Sequence, residues 1–183
     1  MSLNINNFRS QLRSGGARAS LFQVVITNPI TGVADFQLPF LCKASSMPAS
    51  TIGVIEVPYM GRKIKQPGDR TYADWSVTII NDEDFRIRNA MEQWHNAINA
   101  PRGNRAARGS APSNYKSRAQ VFQLSRTGQT LREITLDGIF PTEVSSIDVN
   151  WETTDAIQEF TVNFAYDFVE VTGGVTGNAG GVD

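Results

Sequence analysis

Four stretches of this 183-residue chain hold side chains capable of chemistry. The first is a basic run, Arg102, Arg105 and Arg108, with Lys116 and Arg118 beyond it, in a segment rich in Gly, Ala, Ser and Asn. Guanidinium groups at this spacing can engage phosphates, but sequence-tolerant nucleic-acid binding also needs aromatic rings for bases to stack on, and Tyr115 stands alone there. The formal net charge is −1, so no global field draws the chain to polyanions. The run reads as an exposed basic loop. The second, Gly68-Asp69-Arg70-Thr71, has the look of a phosphate-binding turn. Such a turn must open a helix whose N–H groups face the anion, whereas this one leads into a strand pattern and reads as a structural turn with an Asp–Arg pair. The third, Asp82-Glu83-Asp84, could hold a hard cation, yet its place at a helix start is accounted for by capping and the helix dipole. The fourth is the single cysteine, Cys42, and the single histidine, His95. One thiol forms no internal disulfide, the two residues are too few for a transition-metal site, and no serine, cysteine or acid pair stands at a recognisable spacing from His95. Cys42, beside Leu41, reads as a small packed side chain and His95 as a partly buried, hydrogen-bonded surface residue. Nothing here predicts catalysis, a metal or a cofactor.

The elements that carry these groups are mostly strands. Phe160, Val162, Phe164, Tyr166 and Phe168 alternate with Glu159, Thr161, Asn163, Ala165 and Asp167, which predicts one long strand with an apolar face on a core and a polar face towards water. Shorter alternations occur at Trp75-Val77-Ile79, Ile147-Val149-Trp151 and Phe36-Leu38-Phe40. Further strands are expected over residues 21–27, 35–43, 119–124, 131–139 and 145–151, and residues 52–59 can form one arm of a hairpin. The charged stretch 60–70, with two glycines and a proline, reads as an exposed connection. The convincing helix is capped by Asn81 or Asp82, carries Ile87, Met91, Trp94 and Ile98 on one face, and stops near Pro101. Half-buried strands separated by turns predict a mainly β fold, an antiparallel sandwich or barrel with one flanking helix.

Hydrophobic residues make up 40% and charged residues 19%, as in an ordinary folded domain. A single domain is expected over residues 19–171, after a loosely anchored arm, 1–18, and before a flexible glycine-rich tail, 172–183. No apolar run approaches a membrane span, and the first residues lack a basic and an apolar segment, so the chain is expected to stay in the cytoplasm that makes it, with no stable membrane insertion.

Read in order, these segments resemble the tail tube protein family of contractile-tailed bacteriophages. The match is carried by Leu21-Phe22-Gln23-Val24, Cys42-Lys43-Ala44 with Met47-Pro48, Arg62-Lys63-Ile64, Gly68-Asp69-Arg70-Thr71 and Trp75. It continues through Val77-Thr78, Asn81-Asp82-Glu83, Tyr115-Lys116, Gly138-Ile139-Phe140-Pro141-Thr142, Trp151 and Ile157-Gln158-Glu159-Phe160. The chain departs from the family at both ends and in the longer, arginine-rich 101–118 loop.

The resemblance implies subunits that close into a hexameric ring, their sheets joined into a continuous inter-subunit β-barrel. Rings stack into a tube inside a contractile sheath, which penetrates the host envelope and conducts viral DNA. Implied partners are further copies of the chain, the sheath protein, baseplate and tail-terminator proteins and, in transit, double-stranded DNA. The implied location is the virion, after assembly in the host bacterial cytoplasm. On this reading Glu159, Thr161, Asn163 and Asp167 face the lumen, since a face without a cationic stripe suits DNA transit. Arg62, Lys63, Lys65, Asp69 and Arg70 make contacts between subunits or rings. Two other readings share the sequence: the inner tube of a phage-derived injection device or bacteriocin particle, and a monomeric β-barrel around a ligand pocket.

Overall fold

A computed structural model describes residues 5–12, 16–32, 35, 37–106, 109, 111–152, 154–177 and 179. A short helix α1 (Ile5–Gln11) precedes β1 (Phe22–Ile26), a one-turn helix α2 (Leu38–Leu41) and β2 (Cys42–Ser45). A long hairpin follows, β3 (Ser50–Tyr59) and β4 (Arg62–Tyr72), then β5 (Trp75–Ile80), helix α3 (Arg86–Ile98), β6 (Ser117–Leu124), β7 (Thr130–Val144), β8 (Glu159–Ala165) and β9 (Phe168–Gly173).

Two antiparallel sheets share β7. Its first part pairs with β6 on one side and β9 on the other, with β1 beyond β6. From Phe140 onward it leaves that sheet and pairs with β8, which continues through β5 to β2. The corner is Gly138, at φ +71°, where a side chain would be strained and where β7 must bend to pass from one layer to the other. Between the layers lie Val24, Ile26, Val121, Ile134 and Leu136 from the first sheet and Trp75, Val77, Ile79, Phe160, Val162 and Phe164 from the second. Helix α3 adds Ile87, Ala90, Met91 and Trp94, whose spacing of three and four residues keeps them on one face. The rings of Trp75 and Trp94 meet that of Phe164 at 5.6 and 6.1 Å, so the interior is filled rather than hollow.

Several sequence expectations change. Residues 35–43 do not form one strand: Pro39, with its preset φ and missing N–H, suits the first turn of α2, which buries Leu38 and leaves Phe40 exposed. Val33, Ala34 and Phe36 lie outside the described residues. Residues 145–151 are irregular, with Trp151 fully exposed, while β7 runs on to Val144 and takes the place beside β8. The expected long strand stops at Ala165. The chain turns at Asp167, and Phe168 opens β9, 44% exposed, on the other sheet. Helix α3 begins at Arg86, one turn later than expected, so the acids at 82–84 precede it: Asp82 accepts the backbone N–H of Glu83 at its carboxylate and that of Phe85 at its carbonyl.

Candidate functional site

The second sheet presents a continuous polar face opposite the core. Antiparallel register places Ser76 beside Asn163, Thr78 beside Thr161 and Ile80 beside Glu159, and directly opposed residues point to one side. Their side chains join into a ladder. The Ser76 hydroxyl lies 2.6 Å from Asn163 Oδ1, Asn163 Nδ2 donates to Glu143 at 2.8 Å, and the Thr78 and Thr161 hydroxyls meet at 3.3 Å. Lys43 is held by Glu159 at 2.6 Å. Its positive charge is thereby offset, and Glu143 leaves the face weakly negative.

Glu159, Thr161 and Asn163 therefore share one surface, but Asp167 does not. It sits past the end of β8 at the sheet corner, where its carboxylate takes Lys116 Nζ at 2.6 Å and its N–H donates to the Asp137 carbonyl at 3.0 Å. The unbroken alternation through Phe168 hid this turn.

Both margins of this four-stranded sheet end in strands with a free backbone edge among the described residues: β2, paired only with β5, and the 140–144 part of β7, paired only with β8. Because the four strands alternate in direction, β2 and β7 run oppositely. The sequence does not disclose this pair of complementary edges, since residues 35–43 read as one strand across α2 and the start of β2, and the strand expected over 131–139 stops short of residues 140–144.

Arg62, Lys63, Lys65, Asp69 and Arg70 all lie on β4, which is a paired strand rather than a loop. Their charges sit on both faces because both faces meet solvent, which erased the period-two signal. All of β3 is exposed, as is β4 apart from Gly68 and Tyr72, so the hairpin stands clear of the sandwich. Its register puts Ile55, Val57 and Tyr59 with Ile64, Gln66 and Arg62 on one face, and Glu56 with Lys65 and Pro58 with Lys63 on the other. Lys63 pairs with Glu56 at 2.6 Å, while Asp69 makes no ion pair with Arg70 among the described residues, contrary to the turn reading. Trp75 Nε1 donates to the Ser46 carbonyl at 2.8 Å, and the Tyr72 and Tyr166 rings lie 5.5 Å apart, which anchors the hairpin's root to β5 and β8.

Arg102 and Arg105 are exposed in the 101–106 turn; Arg108 lies outside the described residues. Lys116 and Arg118, at the loop's far end, are bound to Asp167 and Asp137. His95 is exposed on α3 rather than partly buried. Cys42 is half-buried, and burial pushes its thiol up to about 11, against a lesser lowering effect of the Ala44 backbone. No group of three or more metal-ligating side chains occurs among the described residues.

A polar, cation-neutral sheet face, two open edges and a projecting apolar hairpin are features of a subunit made to be joined. The family model described as phage tail tube protein matches residues 4–170. The chain is 38% identical over 155 residues to tail tube protein gp19 of Enterobacteria phage T4, and 37% identical over the same length to that of phage T6, in each case covering 84% of this chain and 91% of the relative. In fold it is similar to a chain in the structure of the sheath/tube terminator of an extracellular contractile injection system, with a TM-score of 0.66 at 15% identity, covering 86% of this chain and 97% of the other. It is likewise similar to the tube-terminating cap of the anti-feeding prophage, with a TM-score of 0.64 at 18% identity over 86% and 91% of the two chains. The chain belongs to the phage tail tube protein family.

Proposed function

We propose that this chain, a structural tail tube subunit, closes into a hexameric ring in which the four-stranded sheet of each copy joins the next, and that stacked rings form the channel through which viral DNA leaves. The observation that carries the reading is the pair of free, oppositely directed edges, β2 and the end of β7. A rotation about the ring axis preserves strand direction. An even number of alternating strands therefore lets every boundary be antiparallel, and closure removes the edges that otherwise invite uncontrolled association. The polar face of Glu159, Thr161 and Asn163 then lines the lumen, and the core face looks outward towards α3. Asp167 is not part of that lining.

The hairpin residues Arg62, Lys65 and Arg70 lie in contacts between rings, the sheath covers the outside, and baseplate and terminator proteins hold the two ends. The filled interior argues against a ligand barrel. The test is negative-stain electron microscopy of the purified protein over a concentration series, alone and on a baseplate. Rings and tubes with a central channel are expected. Monomers under both conditions would overturn the proposal.

A further inference from the structure

The two ends of the second sheet differ in charge as sharply as in shape. The hairpin leaves from the Trp75 end of β5. At the opposite end, Ile80 and Glu159 open into residues 81–85 and, on the other strand, residues 145–152 and 154–158, the two tied by a hydrogen bond of 2.8 Å from the Asn81 N–H to the Gln158 carbonyl. The six residues of β5 separate these ends by about 20 Å.

The 145–158 segment carries Val149, Trp151 and Ile157 with their side chains largely in solvent, and its residues 146–150 and 156–159 line an open cleft of about 490 Å³. Isolated exposed apolar residues are ordinary, but a fully exposed tryptophan in the same segment as two exposed aliphatic residues and a cleft has the composition of an interface core. Asp148 lines this cleft, Asp82 and Glu83 line the adjoining one beside Ile157, and Asp84, Glu152 and Asp155 belong to the same two segments, which contain no lysine, arginine or histidine. Among the described residues only Asp84 is in an ion pair, with Arg86.

The hairpin is the counterpart. It exposes Ile55, Val57, Tyr59 and Ile64 on one face, and of its cations Arg62, Lys65 and Arg70 have no carboxylate partner among the described residues. A chain of net charge −1 has thus gathered acid at a cleft of mixed polar and aliphatic lining at one end and base around an apolar strip at the other.

We propose that the surface formed by residues 81–85, 145–152 and 154–158, with its cleft, is the receptor for the β3–β4 hairpin of a second copy of this chain in the neighbouring ring, with Trp151 and Ile157 packing on Tyr59 and Ile64 and the acids facing Arg62, Lys65 and Arg70. This rests on the stacked-ring reading and adds the surface that receives the hairpin. A head-to-tail contact of this kind repeats without closing, so it builds a filament of one polarity, and the separation of charge sets which end each ring offers to the next.

The experiment compares the full-length parent with a cleft-reversed chain (Asp148→Lys, Glu152→Lys, Asp155→Lys), a hairpin-reversed chain (Arg62→Glu, Lys65→Glu, Arg70→Glu) and a chain carrying both sets. Sedimentation velocity and electron microscopy read out ring stacking, and circular dichroism verifies folding. Each single reversal is expected to leave folded chains that form rings but lower the mass in tubes at least about tenfold, and the combined chain to recover it. Stacking by the cleft-reversed chain at the parent's level, or no recovery in a folded combined chain, would overturn the proposal while leaving the ring reading intact. A parent that forms neither rings nor tubes would overturn both.

Discussion

The carboxylate of Asp167 closes over Gly138: a Cβ built on the glycine would collide with it, and the same carboxylate takes Lys116 Nζ at 2.6 Å. This contact sits where β7 changes sheets. The glycine allows φ of +71°, and the turn after β8 caps the bend through the Asp167 N–H to the Asp137 carbonyl. Gly138→Ala adds left-handed backbone strain and displaces the ion pair. A loss of about 2–3 kcal/mol is expected, read as a fall in Tm of roughly 5–10 °C by calorimetry.

Helix α3 is held by two polar contacts that its apolar stripe does not announce. Trp94 Nε1 donates to the Tyr115 carbonyl at 2.7 Å, and buried Asn28 donates from Nδ2 to the Ala90 carbonyl at 3.2 Å while accepting the Ile30 N–H at 2.9 Å. Removing either partner leaves a buried group without its bond. Trp94→Phe and Asn28→Ala should each cost about 1–3 kcal/mol in denaturant unfolding. An unchanged midpoint would mean that water replaces the bond.

Thr161→Lys with Asn163→Lys should leave tubes intact, because the substitutions lie on a solvent face away from the core. Repeated around each ring, the added charges would hold phosphates, and infectivity in a complementation assay should fall at least about tenfold. Unaltered infectivity would count against a lumenal position for β8.

Burial raises the Cys42 thiol from its ordinary 9.0 to about 11, so it stays protonated near neutrality. Labelling by a disulfide reagent at pH 8 should be slow in the native chain and rapid after denaturation. The sign for stability follows from the raised value: this contribution is fully present below about pH 9, declines once the unfolded thiol ionises, and is lost as pH rises through about 11. Cys42→Ala should remove that alkaline decline.

The core strands were legible because their burial is one-sided: Trp75-Val77-Ile79 and Phe160-Val162-Phe164 alternate against Ser76, Thr78, Thr161 and Asn163. The helix was legible for the same reason at a period of three to four. Strand β4 was not, because a hairpin wet on both faces has no reason to alternate, and its partner β3 is apolar in a way that the isolated chain leaves unburied. The turn at Asp167 was masked by Phe168, whose ring continues the apolar count although it lies on another sheet. A signal for the corner was present in Asp137-Gly138, a turn-forming pair inside an otherwise regular strand. The polar ladder was legible as residues, while the pairing of Lys43 with Glu159 and the added negative charge of Glu143 required the register of strands distant in sequence. Trp151 reads as a core position in an alternating strand, but residues 145–151 are irregular and its ring stands in solvent.

On the proposed assembly the β2–β5–β8–β7 sheet forms the wall of the channel. Cryo-electron microscopy of tubes assembled from this protein tests it most directly. β2 of one subunit is expected to be hydrogen-bonded to the 140–144 edge of the next, with Glu159, Thr161 and Asn163 facing the lumen. A map in which those two edges lie apart and this polar face is turned towards the outer wall would contradict it.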